Sequence, residues 1–172
     1  MKQIDITLEI QAMQPEHWEA IKDIYEKGIA TGHATFQTSA PSSWNLWDKG
    51  HLPHSRFVAI TQNKIVGWIA LSPTSSRECY KGVCEISIYV DPELGGKGIG
   101  NQLMQLLVSS SEENGVWSLY SSTFPENKAS IALQKKFGFR EIGFRERIAQ
   151  QNGVWRNTVP KWESNLVQLI LL

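Results

Sequence analysis

Residues 84–100 hold the groups of this chain that are best placed to do chemistry. A glycine-rich loop, with glycines at 95, 96, 98 and 100, opens directly into a predicted helix. Such a loop leaves backbone N–H groups accessible at a helix N-terminus, which attracts a phosphate or pyrophosphate. The strand before the loop alternates apolar and polar side chains, with Cys84, Ile86, Ile88 and Val90 on one face and Glu85, Ser87 and Tyr89 on the other. The segment therefore predicts an enzyme that holds a phosphorylated cofactor beside a general base, Glu85.

Two common phosphate-binding motifs do not fit this loop. A P-loop requires Gly-Lys followed by Ser or Thr, whereas Lys97 is followed by Gly98. A dinucleotide fingerprint requires G-x-G-x-x-G, and counting from Gly96 its last position is Asn101. No acidic residue follows at the distance of about 20 positions that would hold a ribose.

Residues 95–100 and a second segment together resemble the GNAT superfamily of acyl-CoA-dependent N-acetyltransferases. The first segment approximates the Q/R-x-x-G-x-G/A signature of that family. The second is similar to its N-x-x-S-x-x-L-x-x-x-x-G-F segment through Asn127, Ser130, Leu133, Gly138 and Phe139. Two signatures in the expected order are far more specific than either alone.

Three further segments resemble the phosphinothricin and methionine sulfoximine acetyltransferase branch of the family. Arg77, Tyr80 and Glu85 match its R-x-A-Y-x-x-x-x-E pattern, with Cys79 in place of the alanine. The x-F-x-T-x-x-P loop corresponds to Phe36, Thr38 and Pro41, and the G-x-W segment to Gly153 and Trp155. The likeness covers roughly residues 8–163.

The resemblance implies acetyl-CoA as the cofactor and no metal. The loop backbone would hold the pyrophosphate through Gly96, Lys97, Gly98, Ile99, Gly100 and Asn101. The amides of the pantetheine arm would bond the strand backbone at Ile88, Tyr89 and Val90, with Asn127 and Ser130 contributing from the second segment. Asn127 is equally well explained as the N-cap of the helix that follows it.

The resemblance also implies direct acetyl transfer to the amine of a small amino-acid-like substrate. Glu85 would accept the proton of the amine, although it fits a solvated strand residue as well. Arg77 would bind a carboxylate or phosphinate and Tyr80 would donate a hydrogen bond, while Phe36 and Thr38 would line the substrate loop. Phosphinothricin, methionine sulfoximine and methionine sulfone are the implied substrates. Another amine, or a non-catalytic module that binds acyl-CoA, remains an alternative.

Besides Cys79, three positions depart from the family pattern. Gly95 stands where the family commonly has Arg or Gln, which removes one side-chain contact to the pyrophosphate. Gln134 replaces a tyrosine or histidine, so no general acid is identified for the departing thiolate. Asn157 takes the place of an acidic residue after the tryptophan.

Composition agrees with one domain that spans residues 1–172. The chain has 41% hydrophobic and 20% charged residues, which is ordinary for a globular protein. Its formal net charge of +0, without a basic run, argues against a nucleic-acid partner. Two cysteines without metal-ligand spacing favour a reduced cytoplasm. The apolar tail 164–172 is too short to span a membrane, and we expect it to contribute to a homodimer.

Hydrophobic periodicity and turn residues predict the order β-α-α-β-β-β-α-β-α-β-β. The last two strands are expected over 139–149 and 154–162, joined by a turn at Asn152-Gly153. The fold class is therefore α/β. The family likeness implies a mixed, mostly antiparallel sheet that splays between its fourth and fifth strands and carries helices on both faces.

Overall fold

The computed structural model describes residues 7–164, which form eight strands and four helices. In chain order these are β1 (Glu9–Ala12), α1 (Trp18–Ala30), α2 (Trp44–Asp48), β2 (Phe57–Thr61), β3 (Lys64–Pro73), β4 (Val83–Val90), α3 (Ile99–Glu113), β5 (Ser118–Thr123), α4 (Lys128–Lys136), β6 (Arg140–Glu141), β7 (Arg145–Gln151) and β8 (Val154–Ser164). Short 3₁₀ turns precede α1, β4 and α3 at Pro15–His17, Glu78–Tyr80 and Pro92–Leu94.

The strands form an open mixed sheet in the order β1-β2-β3-β4-β5-β8-β6, with β7 paired to β8. Of the described strand pairs, β4 and β5 are parallel and the others are antiparallel. The parallel pairing covers Val83 to Glu85 of β4, opposite Ser118 to Tyr120 of β5. Beyond Glu85 the two strands diverge. The predicted α/β class and the splay between the fourth and fifth strands are confirmed.

The prediction of a single strand over 139–149 is wrong, because the chain forms two strands there. β6 pairs with Lys161 and Trp162 of β8, while β7 pairs with the start of β8. β7 is itself interrupted by a register shift between Arg145 and Ala149, where Arg147 has φ 48°. The side-chain oxygen of Asn157 accepts a hydrogen bond from the Arg147 backbone N–H at 2.8 Å and so supports this irregularity.

The turn between β7 and β8 is where the sequence predicts it. Asn152 and Gly153 have φ values of 49° and 78°. Two successive positive φ values characterise the tight hairpin turns that an Asn-Gly pair favours.

Helices cover both faces of the sheet, as expected. On one face α3 packs against the apolar side chains of β3 and β4, including Cys84 and Ile86. On the other face α1 and α2 pack against Trp68 and Ala70 of β3. The alternation of β4 divides its side chains between the two layers, so Glu85, Ser87 and Tyr89 share the face covered by α1 and α2.

Local capping fixes where two of the helices begin. The Ser43 hydroxyl accepts a hydrogen bond from the Leu46 N–H at the start of α2, and the Asn127 side chain accepts one from the Ser130 N–H at the start of α4. Within residues 7–164, no helix combines the length and the apolar character needed to cross a membrane. Apart from Ser164, the apolar tail lies outside the described residues.

Candidate active site

A cleft of about 1200 Å³ opens where β4 and β5 diverge. Its walls come from β4, β5, the loop before α3, the first turn of α3, one face of α4, and the segment after α1. Most of the predicted site residues line it, namely Phe36, Glu85, Ile88, Tyr89, Val90, Gly96, Gly98, Ile99, Gly100, Asn101, Asn127 and Ser130. The structure therefore brings residues of both signature segments and the candidate base, Glu85, to one cavity.

The β4 backbone presents unpaired hydrogen-bonding groups to this cleft. The Val83 carbonyl accepts from Thr74 on the β3 side, and the Asp91 N–H donates to Val66 of β3. Because successive residues of a strand direct their backbone groups to opposite neighbours, Ile88 and Val90 direct theirs away from β3. Beyond Glu85 the described β5 no longer reaches them. These are the groups that a bound ligand with amides can satisfy.

The loop before α3 has the geometry of an anion cradle. Gly96 and Gly98 have φ values of 77° and 83°, which side-chain-bearing residues rarely adopt. Helix α3 begins after Gly98 with no side-chain cap among the described residues, and the Gln102 N–H makes the bond to the Gly98 carbonyl. The N–H groups of residues 99–101 are consequently without helical partners and lie at the positive end of the helix dipole.

Gly100 serves a different purpose from the other loop glycines. A Cβ atom built at this position would lie 3.2 Å from Cδ2 of Leu133 on α4. Its small size allows the N-terminal turn of α3 to approach the C-terminal half of α4.

Two lysines of α4, Lys128 and Lys136, line the cleft, whereas the lysine of the glycine loop does not. Lys97 is exposed and lies outside the described lining, whereas Lys136 lines the cleft and donates a 2.7 Å hydrogen bond to the Asn101 side-chain oxygen. Sequence reasoning missed Lys136. Its spacing from Leu133, three residues earlier on α4, is the signal that would have placed it on the same helix face.

Glu85 lies at the point of divergence and is half-buried. Burial raises the pKa of its carboxyl group, and the positive charge of Arg145 opposes part of that rise. A carboxylate with a raised pKa at the floor of a cleft is a suitable proton acceptor for chemistry near neutral pH.

Arg145, at the start of β7, is a second residue that the sequence did not reveal. Like Arg77, it is exposed and is not among the residues that line the described cleft. Its guanidinium lies 5.8 Å from the centre of the Tyr120 ring, and Tyr120 is the β5 partner of Glu85 in the parallel register. The irregular pairing of β7 determines where Arg145 falls, and nothing in the local sequence pattern predicts that pairing.

A buried polar network occupies the β5 side of the cleft. The amide nitrogen of Gln134, which is 1% exposed, lies within hydrogen-bond distance of the hydroxyls of Ser121, Thr123 and Ser130 at 2.9, 3.1 and 2.9 Å. Gln134 thus organises these three hydroxyls and replaces the titratable side chain that is common at this position.

Asn127 uses both ends of its side-chain amide for structure. Its oxygen accepts from the Ser130 N–H at 3.1 Å, and its nitrogen donates to the His33 carbonyl at 3.2 Å. The capping interpretation of Asn127 is confirmed, and its role toward a cofactor stays a prediction.

Three hydrogen bonds from side-chain N–H groups to backbone carbonyls hold the segment after α1 over the cleft. Besides Asn127, the Gln151 amide donates to the Thr35 carbonyl at 2.8 Å and the Arg156 guanidinium donates to the Gly32 carbonyl at 3.0 Å. Phe36 packs against Phe124 with ring centroids 4.7 Å apart. The β7–β8 hairpin therefore determines the position of Phe36.

The other predicted substrate residues lie elsewhere. Thr38, Arg77 and Tyr80 are exposed and are not among the residues that line the described cleft. Arg77 instead places its guanidinium 5.2 Å from the centre of the Tyr80 ring. Their substrate role stays a prediction. Within residues 7–164, no group of three or more His, Cys, Asp or Glu side chains is placed to hold a metal ion.

Comparison with known proteins agrees with the fold. Residues 18–139 match the model of the acetyltransferase (GNAT) family. The chain is 34% identical over 140 residues to a provisionally named phosphinothricin acetyltransferase of Bacillus subtilis, covering 78% of this chain and 85% of that relative. It is 29% identical over 92 residues to an L-methionine sulfoximine/L-methionine sulfone acetyltransferase of Pseudomonas paraeruginosa, covering 54% of each.

A solved structure extends this likeness to the architecture. The GNAT superfamily phosphinothricin acetyltransferase of Sinorhizobium meliloti, determined in complex with AcCoA, superposes with a TM-score of 0.82 at 24% identity. The superposition covers 92% of this chain and 89% of that one. The chain belongs to the acetyltransferase (GNAT) family.

The raised pKa of Glu85 predicts how this residue affects stability. The folded protein binds the Glu85 proton more tightly than the unfolded chain does, whose pKa is about 4.3. Ionised Glu85 therefore destabilises the fold above its folded pKa, and this penalty disappears as pH falls through the unfolded value. We expect Glu85→Gln to melt at a higher temperature than the wild type at pH 8, with the difference closing near pH 4.

The matched control is Glu19→Gln, since Glu19 is exposed on α1 outside the described cleft lining. Melting curves followed by circular dichroism across this pH range make the comparison. A difference for Glu85→Gln that is constant with pH would contradict the pKa assignment.

Proposed function

We propose that this protein is an acetyl-CoA-dependent N-acetyltransferase that transfers the acetyl group directly to the amine of a small amino-acid-like substrate. The observation that supports it best is the divergence of β4 and β5 just beyond Glu85. This geometry joins an unpaired strand edge, an anion cradle and a partly buried carboxylate in one cleft.

The residues of the cleft fit acetyl-CoA at both of its polar regions. The free N–H groups at the start of α3 would bind the pyrophosphate, and Lys136 would supply the cationic side chain that Gly95 lacks. The backbone groups of Ile88 and Val90 would bond the pantetheine amides as an added strand would. When bound, acetyl-CoA supplies the thioester whose acetyl group is transferred.

Glu85 would act as the general base of the reaction. An amine attacks a thioester only when it is unprotonated, and an amino acid's ammonium group is mostly charged at neutral pH. The raised pKa of Glu85 moves this carboxyl group toward the range that suits a general base near neutral pH, and the carboxylate lines the cleft. Gln134 and its hydroxyl partners carry no group that titrates near neutral pH, so we assign no general acid.

We assign the acceptor's carboxylate to Arg145. In an α-amino acid the amine and the carboxylate are bonded to the same carbon, so a base that meets the amine must have the carboxylate nearby. Arg145 is close enough to Glu85 to lower its pKa. Phe36, held over the cleft by its packing on Phe124, would form an apolar wall. The substrate-binding roles of Arg77 and Tyr80 are implied only by the family resemblance.

The names of the relatives support the substrate class. Phosphinothricin, methionine sulfoximine and methionine sulfone are amino acids with an oxidised phosphorus or sulfur in the side chain, and relatives of this chain are named for their acetylation. The main alternative is a GNAT enzyme for another amine. A non-catalytic acyl-CoA-binding module is the second alternative, and an intact base in the cleft argues against it.

A homodimer in the cytoplasm completes the proposal. Apolar side chains that are exposed on and beside the β7–β8 hairpin support an interface there, namely Ile142, Phe144, Ile148, Val154 and Trp155. Sedimentation of the full chain and of Trp155→Ala tests it, since a monomeric wild type would contradict the assignment.

The proposed function is tested by free-thiol release from acetyl-CoA across an amine panel. The panel contains phosphinothricin, methionine sulfoximine, methionine sulfone, ordinary amino acids, a polyamine and an aminoglycoside. We expect turnover with the first three compounds only. Turnover with another amine would reassign the substrate, and acetyl-CoA binding without any turnover would favour the non-catalytic alternative.

Glu85→Gln tests the base in the same assay. We expect kcat to fall by about 10²-fold to 10⁴-fold, because a general base contributes about this much. Wild-type kcat rises with pH as Glu85 loses its proton, and the variant should lose this rise while binding acetyl-CoA normally. Unchanged turnover would remove Glu85 from the mechanism.

Arg145→Ala and Arg77→Ala, measured side by side, test the carboxylate site. We expect Arg145→Ala to raise KM for the amino-acid substrate about tenfold or more and to leave KM for acetyl-CoA nearly unchanged, since a charge-assisted hydrogen bond is lost. A larger effect of Arg77→Ala would contradict our assignment and support the role that the resemblance implies.

Lys136→Ala tests the phosphate site, and Lys135→Ala is its matched control. Lys135 is the exposed neighbour of Lys136 and lies outside the described cleft lining. We expect KM for acetyl-CoA to rise about threefold to tenfold in Lys136→Ala alone, with a smaller effect at high salt. Equal effects of the two variants would contradict a specific contact.

A further inference from the structure

The hydroxyl groups around Gln134 outnumber the hydrogens that its amide can donate. The amide nitrogen carries two hydrogens, and it lies 2.9 Å from the Ser121 oxygen, 2.9 Å from that of Ser130 and 3.1 Å from that of Thr123. The two shorter contacts take the two hydrogens. Thr123 then donates to the Gln134 side-chain oxygen at 3.4 Å, and Ser121 donates to the Thr123 oxygen at 3.2 Å. Every hydrogen of this network except one therefore has an acceptor inside it.

The remaining hydrogen belongs to the hydroxyl group of Ser130. The oxygen of this hydroxyl accepts from Gln134, and within residues 7–164 its O–H group has no acceptor. Ser130 is half-buried and lines the cleft. Because Gln134 is 1% exposed and bonded on both sides of its amide, it holds the Ser130 oxygen in a fixed position. The network thus presents one O–H donor from α4 to the cleft.

This donor belongs to the part of the cleft that contains the candidate base. Tyr120 is the β5 partner of Glu85 in the parallel register, and Ser121 is the next residue of β5. Two hydrogen bonds through Gln134 join Ser121 to Ser130. The network therefore begins one residue beyond the point at which β4 and β5 separate.

The same donor lies away from the phosphate end of the cleft. Lys136, in the last turn of α4, bonds Asn101 at the start of α3, whereas Ser130 is in the first turn of α4. A helix rises about 1.5 Å per residue, so residues 130–136 span about 9 Å along its axis. The proposed path of the pantetheine arm runs from the start of α3 along β4 toward Glu85. Its sulfur would therefore arrive at the end of the cleft that holds Ser130.

We propose that Ser130 donates a hydrogen bond to the sulfur of coenzyme A as the thiolate departs, and that Gln134 is the residue that positions it. The inference rests on the proposed function. In the reaction the amine nitrogen bonds to the acetyl carbon, the carbon–sulfur bond breaks, and its electron pair goes to sulfur. Glu85 takes the proton of the amine, while Ser130 keeps its own proton and stabilises the negative charge on sulfur. A fixed hydrogen-bond donor thus takes the place of a titratable acid.

The chemistry of an amide suits this positioning role. Gln134 has a donor for Ser130 and an acceptor for Thr123, so it completes the network and leaves the Ser130 hydrogen free. A carboxylate at the same place would accept the Ser130 hydrogen itself. An apolar side chain would leave the hydroxyl group free to rotate.

The acidity of the thiol of bound coenzyme A measures this contact without requiring turnover. The full chain is saturated with coenzyme A that carries ¹³C at the carbon bonded to sulfur, and its chemical shift is followed as pH rises. A hydrogen bond to the thiolate lowers the pKa of the thiol. We expect Ser130→Ala to lower the acid dissociation constant of the bound thiol about tenfold to hundredfold, as for the loss of a hydrogen bond to a charged group. Ser130→Thr keeps the hydroxyl group and should keep the wild-type acidity.

Ser122→Ala is the matched control for a hydroxyl group in the cleft. Ser122 also lines the cleft, but strand alternation directs it to the face opposite Ser121 and Thr123. We expect this variant to leave the acidity of the bound thiol unchanged. Equal effects of Ser122→Ala and Ser130→Ala would reflect a general change in the hydration of the cleft and would overturn the assignment.

Gln134→Met tests the positioning role. The substitution removes both polar groups of the amide with little change in volume, so the Ser130 hydroxyl loses its fixed orientation. We expect a smaller loss of thiol acidity than in Ser130→Ala, and we expect the double variant to match Ser130→Ala, because Gln134 acts through Ser130. Losses that add in the double variant would overturn the positioning role.

Kinetics separate this contact from the reaction itself. With an amine that the panel identifies as a substrate, Ser130→Ala should lower kcat about tenfold to hundredfold and change KM for acetyl-CoA less than about threefold. A bound thiol that is equally acidic in the wild type and in Ser130→Ala would overturn the inference, even if acetyl transfer occurs. Acidity that depends on Ser130 in a protein that acetylates no amine would support the contact and overturn the proposed reaction.

Discussion

The separation of β4 from β5 after Glu85 is the constraint on which the rest of this site depends. Each strand keeps its other partner, β3 for β4 and β8 for β5, so the sheet is continuous while one edge of each strand faces the cleft. A ligand that fills this gap exchanges its hydrogen bonds to water for bonds to backbone groups that the fold already holds in position.

The elements around the gap supply the groups that can bind a ligand in it. Helix α3 follows β4 and presents free N–H groups, while α4 follows β5 and brings Lys136 and the Gln134 network. Gly100 lets the start of α3 approach the C-terminal half of α4. On the opposite side, Asn127, Gln151 and Arg156 hold the segment after α1 over the cleft. The β7–β8 hairpin therefore contributes to the acceptor side although it lies at the edge of the sheet.

The sequence predicted the parts of this site that depend on local patterns. Alternation placed Glu85 on the cleft side of β4, and glycines marked the start of α3, because strand pleating and positive φ leave direct signatures in residue types. Asn152 and Gly153 marked the hairpin turn for the same reason. The sequence pattern fits Asn127 both as a helix cap and as a ligand contact, and the structure confirms the cap.

Features that depend on long-range packing could not be predicted. The break between β6 and β7 follows from how each segment pairs with β8, and this break determines where Arg145 lies. The ring cluster of Trp47, Trp68 and Tyr89 brings together residues that are distant in sequence, so an abundance of tryptophan alone did not predict it. Arg77, assigned by resemblance, lies on an exposed turn and stacks on Tyr80, and its role is still open to experiment.

Amide hydrogen exchange of β4, with and without acetyl-CoA, shows whether the unpaired edge of this strand binds the cofactor. The N–H groups of Ile88 and Val90 face the cleft, whereas those of Ser87 and Tyr89 face β3 and act as internal controls. We expect acetyl-CoA to slow exchange at Ile88 and Val90 and at residues 99–101, with little change at Ser87 and Tyr89. Unchanged exchange at Ile88 and Val90 in protein saturated with acetyl-CoA would contradict it.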